Sequence, residues 1–160
     1  MLQTIHDRLD RISLLAVWAG GGALMLCAIM VTIDVFFRKF FSMTMSGSDE
    51  ITGYVFAAST TWAYSYCLLR RANVRIDAVY NFLPTIVRCL LDLTGLLLLL
   101  WFMVVLTNQA ITVFTTSWEH NSVAITTLAT PLWIPQLFWV AGLVLFIVTL
   151  VFVIVYALTL

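Results

Sequence analysis

Residues 12–33 read ISLLAVWAGGGALMLCAIMVTI, a run of 22 uncharged residues that ends at Asp34. At about 1.5 Å per residue, a helix of this length covers the roughly 30 Å hydrocarbon core of a bilayer. The run exceeds the roughly 7–15 apolar residues of a signal-peptide core, and no Ala-x-Ala-like cleavage site follows it. We therefore predict a retained membrane-spanning helix over about residues 12–37.

The composition of the whole chain is that of a membrane protein. Of its 160 residues, 62% are hydrophobic and 10% are charged, and the mean hydropathy is +1.04. Soluble domains carry about a quarter charged residues. Eight basic and eight acidic residues give zero net charge without a basic run, which argues against nucleic-acid binding.

The charged residues divide the rest of the chain into three further apolar segments. They predict spans over about residues 51–69, 93–115 and 135–157. Pro131 and Pro135 mark the start of the last span, because proline fits the first turn of a helix. The predicted fold is all-α integral membrane, with four transmembrane helices in a single domain over residues 1–160.

The distribution of Lys and Arg predicts the orientation, because basic residues are retained on the cytoplasmic side. Two basic residues, Arg38 and Lys39, lie on one side of the membrane. The other side carries six: Arg8, Arg11, Arg70, Arg71, Arg75 and Arg88. Both termini are therefore expected in the cytoplasm, with Arg70, Arg71 and Arg75 as topology anchors that contact anionic phospholipids. The connections over residues 38–50 and 108–132 are then expected on the outer side.

Two acid–base pairs lie near span ends at helical spacing. Asp34 lies four residues before Arg38, and Asp92 lies four residues after Arg88. Residues at this spacing share a helix face, so both pairs are expected to be structural ion pairs. A coupling-ion or proton role for Asp34 remains an alternative, because ionisable groups at membrane depth are costly and often functional.

The segment Ser46-Gly47-Ser48-Asp49-Glu50 predicts a helix start. Small hydroxyl residues can cap exposed amide groups, and carboxylates favour the positive end of a helix dipole. Glu50 also follows the outward-facing Arg38 and Lys39, so contact with a charge on a partner protein is a second interpretation.

Residue types needed for membrane catalysis are missing from the predicted spans. His6 and His120, the two histidines, lie outside them, so axial haem ligands of the usual kind are not expected. The span centres carry no charge, whereas autonomous transporters place ion and substrate sites at the midplane. The sequence therefore predicts a non-catalytic subunit that binds no cofactor or metal itself and packs against a larger membrane partner.

An ordered set of short motifs resembles the DctQ-like small membrane subunit of tripartite ATP-independent periplasmic (TRAP) transporters. The motifs are Arg38-Lys39-Phe40-Phe41, Ser46 to Ile51, Arg70 to Asp77, Leu83-Pro84 and Thr130 to Gln136. The chain departs from the family at Asn73, where a histidine is often found.

The resemblance implies a three-part complex of the bacterial inner membrane. A periplasmic substrate-binding protein captures an organic acid, a large multi-span permease moves it with a sodium gradient, and the small subunit is a stator for the permease. Implied contacts with these partners are Arg38, Lys39, Asp49, Glu50, Trp118 and Glu119. The alternative is a cofactor-free anchor or assembly subunit of a membrane oxidoreductase. The sequence does not separate dicarboxylates, sialic acids and other organic acids.

Overall fold

The computed structural model describes residues 2–70, 72 and 84–158. This part of the chain contains four helices, α1 (Leu2–Phe41), α2 (Ser48–Leu69), α3 (Thr85–Glu119) and α4 (Trp133–Leu158). Within the same residues there is no β-strand, only an isolated bridge between Val123 and Pro131. The prediction of an all-helical chain is confirmed over these residues.

Three of the helices are long and apolar enough to cross a membrane. The qualifying segments are His6–Phe41 of α1, Thr85–Glu119 of α3 and Trp133–Ala157 of α4. Each contains one of the predicted spans and extends beyond it at one end or both. The 22-residue α2 does not qualify, and its buried positions include the hydroxyl residues Ser59, Thr61 and Ser65.

Helix α3 continues further than the sequence predicts. Residues 116–119, which lie beyond the predicted span of residues 93–115, are helical, and α3 ends only at Glu119. The Thr112 hydroxyl donates to the Asn108 carbonyl at 3.0 Å, and the Thr116 hydroxyl donates to the Thr112 carbonyl at 2.8 Å. A hydroxyl that bonds to a carbonyl of its own helix needs no other partner, so a run of threonines does not end a helix.

The four helices pack in a row, in the order α1, α2, α4, α3. Helix α2 is antiparallel to α1, since Ser59 meets Gly20 while Arg70 meets Asp10. It runs parallel to α4, and α4 returns antiparallel to α3. Helices α1 and α3 therefore lie at the two ends of the row, and no comparable α1–α3 contact closes the described residues into a bundle.

Small residues allow the close approach of α1 and α2. The buried positions of α1 recur at spacings of three, four and seven residues: Leu9, Ser13, Ala16, Gly20, Cys27 and Asp34. The Ser59 hydroxyl donates to the carbonyl of Gly20 at 3.1 Å. Without hydrophobic driving force inside a bilayer, such small contacts and interhelical hydrogen bonds stabilise helix pairs.

Helix α4 supplies most of the apolar core. The core cluster consists of Leu68, Met103, Ala110, Leu143, Phe146, Leu150 and Ile154. Gly142 lies against Thr61 and Trp62 of α2, and the Trp62 Nε1–H donates to the Phe138 carbonyl at 2.8 Å. By contrast, only 6% of the apolar window of α3 is buried within the chain. A broad apolar surface along α3 is thus left uncovered.

Candidate partner interface at the loop end

One end of the row, here called the loop end, holds the α1–α2 turn (residues 42–47) and the α3–α4 connection (residues 120–132). Asp34 organises the α1–α2 turn and is 1% exposed. Its Oδ1 accepts the Met45 amide N–H and its Oδ2 accepts an Arg38 N–H, each at 2.5 Å. The predicted pairing of Asp34 with Arg38 is thus present, and the second oxygen holds the turn through Met45.

The start of α2 differs from the predicted capping pattern. Gly47 is the N-cap, with a φ of 98° and no side-chain capping bond. The Ser46 hydroxyl instead hydrogen-bonds to the hydroxyl of Thr127 in the α3–α4 connection. Asp49 and Glu50 lie in the first turn of α2, where carboxylates favour the positive end of the helix dipole.

The α3–α4 connection folds back on itself as a hairpin-like loop. The Ala124 N–H donates to the Thr130 carbonyl, and the Leu132 N–H donates to the Ser122 carbonyl, both at 3.0 Å. These bonds place Ile125 at the tip, where its side chain is fully exposed. The loop therefore presents an ordered surface.

Glu50 lies in the first turn of α2, beside this connection. The Tyr54 hydroxyl donates to Oε1 of Glu50 at 2.7 Å. Hydrogen bonding from Thr126, and then from Tyr54 and Thr130, lowers the pKa of the Glu50 carboxyl below its ordinary value, against the opposing effect of burial. Glu50 precedes the predicted span of residues 51–69, and hydroxyl donors hold its carboxylate in the charged form.

A separate cleft lies where α3 ends and α4 begins. It measures about 540 Å³ and is lined by Trp118, Glu119, Asn121 and Trp133. The two indole rings meet edge to face, with centroids 4.9 Å apart and planes at 75°. Of the residues implied as partner contacts, Trp118 and Glu119 line this cleft. Arg38, Lys39, Asp49 and Glu50 belong instead to the helix ends that flank the α1–α2 turn.

The opposite end of the row shows one contact that the sequence did not predict. Arg70 donates to the Asp10 carboxylate at 3.0 Å and lies 5.5 Å from the centre of the Tyr66 ring. The other two proposed anchors, Arg71 and Arg75, lie outside the described residues. Arg88 and Asp92 lie one turn apart on α3, and their pairing stays a prediction.

No group of three or more His, Cys, Asp or Glu residues within the described ranges is arranged to hold a metal ion. The sequence had likewise predicted no pair of catalytic groups. The geometry of the loop end is that of a folded surface with charged and aromatic side chains.

Comparison with known proteins assigns the family. The model of the DctQ component of tripartite ATP-independent periplasmic transporters matches residues 26–160. This range covers α2, α3 and α4, the loop end and the C-terminal part of α1 from Leu26. Neither a curated protein nor a solved structure gives a significant match. With most of its length matched, the chain belongs to the DctQ family and is a small permease subunit of a TRAP transporter.

Proposed function

We propose that this chain is the fixed scaffold on which the large permease subunit of a sodium-driven organic-acid transporter is mounted. The single observation that carries the proposal is the open row of helices, which leaves most of the apolar window of α3 uncovered by the rest of the chain. An uncovered apolar face on a membrane helix can contact lipid or another membrane protein, and membership of the DctQ family favours a protein partner here. The chain itself is then not the transport pathway.

Helix α2 is proposed as the fourth crossing, with both termini in the cytoplasm of a bacterium and the loop end in the periplasm. Its position between α1 and α4 supports this proposal, because Ser59 contacts α1 and Thr61 lies against Gly142 of α4. The Thr61 hydroxyl donates to the Ala57 carbonyl, and the Ser59 hydroxyl to the Gly20 carbonyl, both at 3.1 Å. A polar helix is tolerated in a bilayer where its polar groups find such partners.

Substrate and sodium binding are assigned in this proposal to the large subunit. The only acidic side chain buried at membrane depth among the described residues is Asp34, and its oxygens bind Met45 and Arg38. Docking of the periplasmic binding protein is assigned to the loop end, where the hydrogen-bonded α3–α4 connection and the exposed Lys39 and Asp49 lie.

Reconstitution with the genetically neighbouring permease and binding protein tests the scaffold role. We expect the large subunit to co-purify with this chain, and sodium-driven uptake into proteoliposomes to require both membrane subunits. Full uptake by the large subunit without this chain would contradict the scaffold role. Association with redox subunits in place of a permease would contradict the transporter assignment in this organism.

A cysteine at Asn121 tests the orientation. Cys27, Cys67 and Cys89 are first replaced by alanine, so that the new thiol is the only one. We expect an impermeant maleimide to label Asn121→Cys in intact cells, because residue 121 lies at the loop end and is exposed. Labelling only after lysis would place the loop end in the cytoplasm.

A further inference from the structure

The cleft formed by Trp118, Glu119, Asn121 and Trp133 combines three kinds of group that bind one type of ligand. Trp118 is 55% exposed, so part of its indole surface is free to receive a ligand. A carboxylate and an amide oxygen can stand beside this indole surface. Aromatic faces attract organic cations, and carboxylates bind guanidinium groups through paired hydrogen bonds.

Glu119 lacks a cation of its own in the part of the chain that the structure describes. Ion pairs in this part of the chain include Asp34 with Arg38 and Asp10 with Arg70, and Glu119 takes part in neither. The cleft thus has negative charge, aromatic surface and room for a side chain, and its complement is a planar organic cation.

The position of the cleft favours a side chain from a membrane-embedded partner. The cleft lies at the end of α3, directly beyond the helix whose apolar surface is the least covered. A protein seated along α3 would bring its own membrane boundary beside Trp118. Tryptophan at helix ends is typical of this boundary, and long arginine side chains near the ends of spanning helices reach to it.

We propose that this cleft receives an arginine side chain of the large permease subunit. The guanidinium group stacks on an indole ring and donates to the Glu119 carboxylate, while the Asn121 amide oxygen accepts a further N–H. Arginine suits the cleft better than lysine because its planar group can stack and pair in one orientation. The proposal rests on the scaffold function above.

Binding of the two membrane subunits in nanodiscs without phosphatidylethanolamine tests the cleft. We expect Glu119→Gln and Trp118→Leu each to weaken association by about 3- to 30-fold, as expected for one cation–π or charge-assisted contact. Glu119→Arg should weaken it further, and one arginine-to-glutamate change in the permease should restore binding to this variant. Asp7→Arg and Trp18→Leu are the matched controls, since both residues are exposed and lie outside the cleft.

The outcomes separate the cleft from the scaffold function. Failure of the unsubstituted chain to bind the permease would overturn both. Normal binding that Glu119→Gln and Glu119→Arg leave unchanged would overturn the cleft alone. An effect of Glu119→Arg that appears only when phosphatidylethanolamine is added would also overturn it, because a lipid amine would then be the occupant.

Discussion

Gly47 lies directly beneath the side chain of Leu128, so closely that a Cβ atom at position 47 would overlap Cδ1 and Cγ of that leucine. The two residues belong to different connections and are joined across the loop end. The hydrogen bond between the Ser46 and Thr127 hydroxyls lies beside them. The α1–α2 turn and the α3–α4 connection are therefore one interlocked unit.

Substitution Gly47→Ala should release this interlock. The φ of 98° disfavours any residue with a Cβ, and the new methyl group would displace Leu128. We expect a loss of about 2–4 kcal/mol in the free energy of unfolding, measured in detergent. Adding Leu128→Ala should recover the part of this loss that comes from the steric overlap. The part that comes from the positive φ at position 47 should remain. Equal stability of Gly47→Ala and the unsubstituted chain would show that the contact does not form.

Gly142→Ala tests the contact between α2 and α4. A Cβ there would lie within 3.0 Å of both Thr61 and Trp62 side-chain atoms, so the two helices must separate. We expect a loss of about 1–3 kcal/mol in unfolding free energy. The matched control is Gly95→Ala, where no atom lies within 4 Å and alanine should add up to about 1 kcal/mol of helix stability. If Gly142→Ala and Gly95→Ala changed the unfolding free energy by similar amounts, this would contradict the close packing of α2 against α4.

The two hydrogen bonds of Asp34 predict the order in which substitutions at this position loosen the α1–α2 turn. Asp34→Asn keeps an acceptor for the Met45 N–H but loses the ion pair with Arg38, whereas Asp34→Ala loses both. We expect tryptic cleavage after Lys39 to be slow in the unsubstituted chain, faster with asparagine and fastest with alanine. Thr32→Ala is the control, because that hydroxyl bonds only to the Ala28 carbonyl of its own helix. Equal cleavage rates in the three Asp34 forms would contradict the proposed bonding.

Glu50 should make the stability of the loop end sensitive to acid. Its pKa is lower in the folded chain than its ordinary value of 4.5, so its contribution to stability is complete above that pH and is lost as the pH falls through the folded-state pKa. The stability difference from Glu50→Gln should therefore be constant between about pH 6 and 8 and shrink below about pH 4.5. Unfolding midpoints across this range check the prediction. Asp49→Asn, in the same turn, controls for the loss of charge.

The membrane segments could be predicted from sequence because they depend on local composition. The 22 uncharged residues from Ile12 to Ile33 fall within α1, and Pro135 lies in the first turn of α4. The helix ends were less accurate, because charges mark the edge of the apolar segment and not the end of the hydrogen-bonded helix. Thr116 illustrates this difference, since it lies beyond the predicted span and its hydroxyl bonds within α3.

Contacts between distant residues were not predictable from the pattern. Asp10 and Arg70 are separated by 60 residues, and neither stands out among the loop charges. The pairing of Gly47 with Leu128 likewise needs the row order, which the four apolar segments alone do not determine. Trp118 and Glu119 were placed at an interface by family resemblance, whereas the edge-to-face meeting with Trp133 required the structure.

A row of four helices has surfaces on both sides and little interior. As a separate molecule, it is stabilised by three helix–helix contacts, α1 with α2, α2 with α4 and α4 with α3. Binding of a partner adds stabilising free energy that the isolated chain lacks. In a cell, we expect the lifetime of this polypeptide to follow the supply of its permease. Copies made in excess would expose α3 to membrane quality-control proteases, so subunit ratios would be corrected by degradation.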